Sequence, residues 1–427
     1  MSFYKFLIIC FAGFIASVGH GLTSFGLGIY VYEQTRIVSS AALIALLAFL
    51  PALLLSPLAG VLADKYDRRV LMLLGNGFSI IGTGYILFCI SKGETRLWQI
   101  GAGVTISSIF TTLIDPAFRA TITDLVSKEE YTKASGFVQL SDSAGYLLSP
   151  AIAGLLLSFS DIRLLLAIDI CTLFITVMVI FYVRRWIVSK ITENREPIIK
   201  GFKVGLLALI KNKGILSLTV MLSVMTFFVA VVQTLSTPMI LGFTDSRTLG
   251  FTMTFCASGM LFSSVFLGVV PIKRGFVKVL SLSLFFAGLF MGVFGLRENI
   301  FLIGAAGFLI FMTLPFANAS IDYLIRTNID NEVQGRSWGL IGVISQIGYV
   351  AAFAVSGPLA DYVFMPLLLD NGFLSGSIGK LTGVGTGRGI GLLIIVAGFM
   401  LALTAAVLYQ IKPVKKLEGD SYVQGAY

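Results

Sequence analysis

Long apolar runs broken by short polar connectors set the rhythm of this chain. Runs at 6–32, 40–62, 70–91, 97–122, 134–158, 162–182, 215–241, 249–271, 277–296, 301–324, 338–363 and 390–411 each approach or exceed the ~20 residues that a helix needs to cross a bilayer. Several are interrupted by Gly or Pro, but none is broken by a run of charge. The pattern predicts an all-α polytopic membrane protein with twelve transmembrane helices. The longest connector, 183–214, divides six runs from six. It gives an N-terminal bundle over 1–182, a linker over 183–214 and a C-terminal bundle over 215–427, that is, two six-helix bundles.

Composition agrees with this pattern. Of 427 residues, 56% are hydrophobic and 12% charged, against roughly 25% charged in soluble domains. The net charge of +9 would suggest nucleic acid if the basic residues clustered on a soluble face. Instead 23 of the 31 Lys and Arg residues fall in alternate connectors and the termini. By the positive-inside rule that split places both termini in the cytosol. Within the linker, EPIIKGFKVGLLALIKNKG alternates apolar and basic residues, as an interfacial helix held by Lys200, Lys203, Lys211 and Lys213 would; a solvated linker reads almost as well. The first run is too long for a cleaved signal peptide and is followed by further spans.

The halves also resemble one another. PAFRATITDLVSKEEYTKASG, from Pro116, and PFANASIDYLIRTNIDNEVQG, from Pro315, share their Pro and Gly at an offset of 199 residues without a gap. Repeated bundles are expected where a transporter binds its cargo near the midplane.

Soluble-enzyme readings fail on spacing. Cys10, Cys89, Cys171 and Cys256 stand singly inside apolar runs, without the close spacing of a metal or redox site. No P-loop G-x-x-x-x-G-K-[ST] occurs to cradle ATP. GVGTGRGIG, at 383–391, precedes the last run on the outer side and reads as a flexible external loop entering a helix. No cofactor, metal, enzymatic activity or nucleic-acid partner is expected.

Charge is concentrated in GVLADKYDRR at 60–69, between the second and third runs. This stretch resembles motif A of the major facilitator superfamily, G-x-L-A-D-[RK]-x-[GD]-R-[RK], through Gly60, Leu62, Ala63, Asp64, Lys65, Asp67, Arg68 and Arg69. In the fifth run, GYLLSPAIAG resembles the superfamily's antiporter motif C, with Gly145, Ser149, Pro150, Ala153 and Gly154 supplying small residues and a bend. The same residues would also serve ordinary close packing. Nearly the whole chain is similar to the macrolide-efflux branch of twelve-helix exporters, through SVGHGLTSFGLGIYVYEQT, LPALLLSPLAGVLADKYDRR, DPAFRATITDLV, GFVQLSDSAGYLLSPAIAGLL, the AID at 167–169 and KNKG at 211–214. That resemblance implies secondary active export of a hydrophobic or amphipathic small molecule by alternating access, with proton antiport, from the cell membrane of a bacterium and as a monomer. A metabolite importer or uniporter on the same fold, or a non-transporting membrane receptor or scaffold, are the rival readings.

One departure bears on coupling. Many drug and proton antiporters carry an Arg in the middle of the fourth helix, and the matching place here lies near Ser107. Coupling then falls to other intramembrane ionisable groups, each costly unless paired or facing a cavity. Asp142, ~12 Å into the fifth run at ~1.5 Å per residue, is the first choice for proton carrier, the alternative being a fixed hydrogen bond to Ser141 or Ser143. Asp169 and His20 are further candidates. Structural pairing is the stronger reading of Asp169, and a packed, hydrogen-bonded role the stronger reading of His20, the only histidine.

Asp115 with Arg119, and Asp322 with Arg326, fall at helical i,i+4 spacing. Arg119 and Asp124 with Asp64 and Arg68 are expected to form an inner gate that breaks and re-forms. Gln233, Phe316, Asn318 and Gln346 are the candidates for an apolar substrate cavity with few polar anchors. Phe227, Phe228, Phe255 and Phe262 read more readily as lipid-facing or core.

Overall fold

Regular structure is helical throughout the computed structural model, which describes residues 2–93, 95–126, 130–183, 206–207, 209–329, 331–370 and 372–424. Among those residues twelve helical spans are long and apolar enough to cross a membrane. The interfacial-helix reading of the linker lies largely outside the described residues.

The first helices are α1 (Ser2–Thr35), α2 (Val38–Lys65), α3 (Arg68–Ser91), α4 (Leu97–Thr111), α5 (Ile114–Leu125), α6 (Tyr131–Leu157) and α7 (Ile162–Val183). A single helix over 97–122 is expected from the hydropathy, whereas the structure divides it into α4 and α5, which together make one crossing. Pro116 is the physical reason. It has no N–H to offer the carbonyl one turn earlier and its ring crowds that carbonyl, so the ladder lapses over Thr112 and Leu113.

The second set comprises α8 (Lys213–Leu241), α9 (Ser246–Val269), α10 (Phe276–Phe294), α11 (Ile300–Asn328), α12 (Asn331–Leu359), α13 (Thr386–Leu408) and α14 (Lys412–Gln424). A π-helical turn, Ala360–Phe364, continues α12.

The chain divides into two compact units: Met1–Arg195 with Asp245–Thr254, and Glu196–Thr244 with Phe255–Tyr427. The first turns of α9 therefore belong with α1–α7. In this first unit α1 packs against both α6 and α7, while α3 packs on α4 and α7. Its buried apolar residues form two clusters. One gathers Phe6, Ile9, Leu71, Leu125, Val138 and Ile180; the other gathers Leu22, Leu27, Ile44, Ile86, Ile100 and Leu165.

In the second unit α8 packs on α12 and α13, and α10 lies between α11 and α13. α14 is a polar helix that hydropathy does not signal. It buries Val414 and Leu417 and accepts a hydrogen bond from Asn328 Nδ2 at the Leu417 carbonyl (3.0 Å). Its Glu418 accepts from the N–H groups of Phe276 (3.0 Å) and Val277 (3.4 Å). Those are orphan donors of α10, whose N-cap Gly275 sits at φ 75° and offers no side chain. A carboxylate from another helix supplies the missing cap and favours the positive end of the helix dipole.

Candidate functional site

Small residues draw α1 against two partners at once. Ser149 Oγ donates to the Val18 carbonyl (3.1 Å), and Cys10 Sγ lies 3.4 Å from Ser141 Oγ. Both pairs are 131 residues apart, so α1 and α6 run parallel in one register. On its other side Thr176 Oγ1 donates to the Ala12 carbonyl (3.2 Å), and a Cβ at Gly19 would collide with the Thr172 hydroxyl. These pairs set α7 antiparallel to α1.

The motif-C-like residues of α6 have defined neighbours. A Cβ at Gly145 would meet the Ser17 hydroxyl and stand 2.8 Å from the Ser17 carbonyl, so only a glycine allows that approach. Nine residues further, Gly154 meets the backbone of α9, where a Cβ would lie 3.0 Å from Gly250 Cα. Thr254 closes this contact with its hydroxyl, which accepts from the Ala151 N–H (3.1 Å) and donates to the Leu147 carbonyl (2.9 Å). Those two groups are the ones that an unbroken α6 would join to each other. Pro150 weakens the ladder at this level, and Thr254 holds the loosened backbone. Sequence reasoning did not find Thr254, because nothing local marks a threonine whose partner is 107 residues away.

The charged turn at 64–69 is organised by Asp67. Its carboxylate caps α3 by accepting from the Arg69 N–H (3.0 Å) and pairs with the Arg69 guanidinium (2.8 Å from Nε). That pairing holds the Asp67 carboxyl below its ordinary range, against a smaller opposing effect of burial. Arg68 turns the other way, and its Nη1 donates to the Ala120 carbonyl of α5 (2.8 Å). Arg119 pairs with Asp115 (2.9 Å) and Arg326 with Asp322 (2.7 Å), each within its own helix. Arg326 also lies over the Trp338 ring of α12, 5.5 Å from its centroid. Gly60 sits in open space, since nothing lies within 4 Å of a Cβ built there. The side chains of Asp64 and Asp124 lie outside the described residues.

The place near Ser107, where an antiporter arginine would stand, is filled. Ser107 is buried and lies 2.7 Å from Ser79 Oγ of α3, while Ser108 Oγ donates to the Ala48 carbonyl of α2 (2.5 Å). Three helices converge on these small hydroxyls.

Of the intramembrane ionisable candidates, Asp142 has its backbone in α6 and its side chain outside the described residues. The shared register sets it level with residue 11 of α1. Asp169 is 1% exposed. Both of its carboxylate oxygens are buried without a hydrogen-bond partner at normal geometry. Thr23 faces it from α1, and His20 lies within electrostatic range. His20 itself is exposed, contrary to the packed, hydrogen-bonded group expected from sequence. His20 thus acts on Asp169 through its charge, while the level of Asp142 lies about twelve residues, ~18 Å, from that of Thr23 along α1.

The cavity candidates all belong to the second unit, in different settings. Gln233 is half-buried on α8, and Asn318 is exposed on α11. Phe316 sits 6.2 Å from the Phe266 ring, and Gln346 on α12 has a buried Oε1 with no partner. Phe308 lies between Phe255 (5.4 Å) and Phe262 (6.2 Å). These rings extend an aromatic surface along α9 and α11.

Within GVGTGRGIG, read as a flexible external loop entering a helix, α13 begins at Thr386 and Arg388 is a buried anchor. It lies in the first turn of α13 and is 3% exposed. Its Nε donates to Glu298 (3.0 Å) and its Nη1 to the Thr382 carbonyl (3.1 Å). Gly383 and Gly385, at φ 92° and 129°, turn the chain sharply enough to let this side chain fold inward.

Comparison with known proteins identifies the fold's lineage. A model described as Major Facilitator Superfamily matches residues 9–353. The chain is 25% identical over 371 residues to Macrolide efflux protein A of Streptococcus pyogenes, covering 84% of this chain and 90% of that one. It is 26% identical to Macrolide efflux protein A of Enterococcus faecalis, over 71% of this chain and 95% of that one. A multi-drug resistance efflux pump PmrA homolog of Lactococcus lactis is 24% identical over 74% of this chain and 78% of its own length. Among solved structures, the nucleoside transporter NupG matches with a TM-score of 0.74 at 13% identity, over 96% of this chain and all of that one. A bacterial homolog of the human lysosomal transporter Spinster matches at 0.75 and 13%, over 98% of both. The chain belongs to the Major Facilitator Superfamily, and its family and fold are those of multi-pass membrane transporters.

Proposed function

We propose that this superfamily member exports amphipathic small molecules of the macrolide kind from the cell, in exchange for protons. The observation that carries this reading is the similarity to macrolide efflux proteins of two organisms across most of the chain. A multidrug efflux relative supports the same direction of transport. Both termini face the cytosol, and the protein works as a monomer in the cell membrane. Asp142, Asp169 and His20 are the groups available to couple protons, and Gln233, Phe316, Asn318 and Gln346 are available to line the substrate path.

In this reading the charged turn is a latch. Arg68 crosses from α3 to the α5 backbone, and such hydrogen bonds break and re-form cheaply enough to bias a two-state element. The α6–α9 contact through Pro150, Gly154, Gly250 and Thr254 is a second, tighter seam, released when the transporter changes state.

The test is a resistance panel in a bacterial host stripped of its own pumps. Expression is expected to raise the inhibitory concentration of erythromycin, and Arg68→Ala to reduce that gain. Unchanged susceptibility to erythromycin, ethidium and other amphipathic toxins, with the protein present in the membrane, would count against export. Rising susceptibility would favour an importer.

A further inference from the structure

Hydroxyls buried in the spans commonly satisfy themselves on the carbonyl one turn back. Thr121 does so on Ala117, Thr176 on Thr172 and Thr219 on Ile215. Thr23 does not, and its Oγ1 is buried with no partner. It is the hydroxyl beside the Asp169 carboxylate, and both oxygens of that carboxylate are likewise buried with no partner at normal hydrogen-bond geometry. Buried polar groups are nearly always bonded, and a carboxylate inside a membrane span is costly unless it is neutralised or paired. Two adjacent groups left open in this way mark a site that one proton completes.

The chemistry of the pair fits both states of such a site. A protonated Asp169 can donate its O–H to Thr23 Oγ1, and an ionised Asp169 can accept the Thr23 O–H, because a hydroxyl both donates and accepts. His20 precedes Thr23 by three residues, so it shares that face of α1. It is exposed where Asp169 is buried. An imidazole carries one nitrogen that donates and one that accepts, so it can hand a proton on. Gly19 and Gly21 flank it, pulling α7 and α6 close on either side and leaving the ring on the open face. Among described residues His20 is the titratable group that faces Asp169; α3 and α6, also packed on α7, turn no described charged side chain toward it.

We propose that Asp169 carries the coupling proton, with Thr23 as its positioning residue and His20 as the exposed group through which the proton enters. This rests on the antiport reading above. The step balances: the His20 imidazolium gives one proton to the Thr23 hydroxyl, which passes one to the Asp169 carboxylate, leaving imidazole and carboxylic acid both neutral. Release reverses it. The site lies wholly within the first unit and does not involve Asp142.

The assignment is tested on full-length protein reconstituted in lipid, by pH-difference infrared spectroscopy together with accumulation of ethidium driven by an imposed inside-acid gradient. Ethidium serves because its charge does not titrate. Wild type is expected to show a titrating protonated-carboxyl band and gradient-driven accumulation. Asp169→Asn is expected to lose that band, with accumulation falling to the level of protein-free vesicles. Thr23→Val should shift the band and the pH profile of accumulation, Thr23→Ser should restore both, and His20→Gln should slow accumulation. Survival of the band and of accumulation in Asp169→Asn would overturn the assignment, as would loss of both in Asp142→Asn alone. Wild type that ignores the gradient while still exchanging ethidium would instead remove the antiport reading and the assignment with it. If Asp169→Asn fails to fold, the Thr23 pair decides: identical profiles for Val, Ser and wild type overturn the proposal.

Discussion

Individual residues here are fixed by how much space and how many partners they have. Gly145 and Gly60 each open a stretch that resembles a superfamily motif, yet a methyl at Gly145 would strike Ser17 while one at Gly60 meets nothing. Gly145→Ala is therefore expected to destabilise the first unit, by about 1–3 kcal/mol for overpacking. Gly60→Ala should be tolerated or should stabilise α2, by up to ~1 kcal/mol of helix propensity. Thermal unfolding of the two variants in detergent measures the contrast, and equal shifts would refute it. Asp67 gives a pH-dependent case. Its carboxyl is held below its ordinary range by Arg69, so its stabilising contribution is present above the ordinary carboxylate pKa and fades as pH falls through the lowered one. The unfolding midpoint of wild type should exceed that of Asp67→Asn at neutral pH, and the gap should close only below about pH 4. A gap unchanged at low pH would contradict the pairing. Asp67 and Gly145 were legible in sequence as motif positions. Asp169 was legible as a candidate, but its setting beside Thr23 was not, because only the arrangement of α1 against α7 brings that hydroxyl to the carboxylate.

Among the elements, those stabilised by distant side chains were the hardest to read. α14 lacks an apolar run, and its role rests on Glu418 capping α10 from 142 residues away. Glu418→Ala is expected to cost about 1 kcal/mol, as other cap losses do, and to raise hydrogen exchange at Phe276 and Val277. Unchanged exchange there would dismiss the cap. The division of the fourth crossing into α4 and α5 could have been taken from Pro116, since proline's missing N–H is a local fact; apolar periodicity alone ran across it. α6 and α9 show the opposite limit. Pro150 marks the loosened ladder in sequence, whereas the Thr254 hydroxyl that holds it comes from another helix. Thr254→Val, which keeps shape and removes both hydrogen bonds, is expected to weaken the α6–α9 seam and to increase exchange around Leu147 and Ala151. Thr254→Ser should restore it.

For the molecule as a whole, hydropathy was sufficient to count twelve spans, because lipid demands about 20 apolar residues for each crossing whatever the tertiary fold. The assignment of residues Asp245–Thr254 to the first unit was not legible, since it depends on glycine contacts between chain segments about a hundred residues apart. What the superfamily shares is the scaffold. The substrate and the driving ion belong to the side chains this chain sets on it, and here serine hydroxyls meet near Ser107 while Asp169 lies buried beside Thr23. Export in exchange for protons requires the two fluxes to be locked together. The decisive measurement follows the internal acidity of energised everted membrane vesicles, with a pH-sensitive fluorophore, as erythromycin is added. Protons are expected to leave the vesicles as the macrolide enters, in excess of any change in vesicles lacking the protein. Macrolide entry with no such excess would contradict proton exchange.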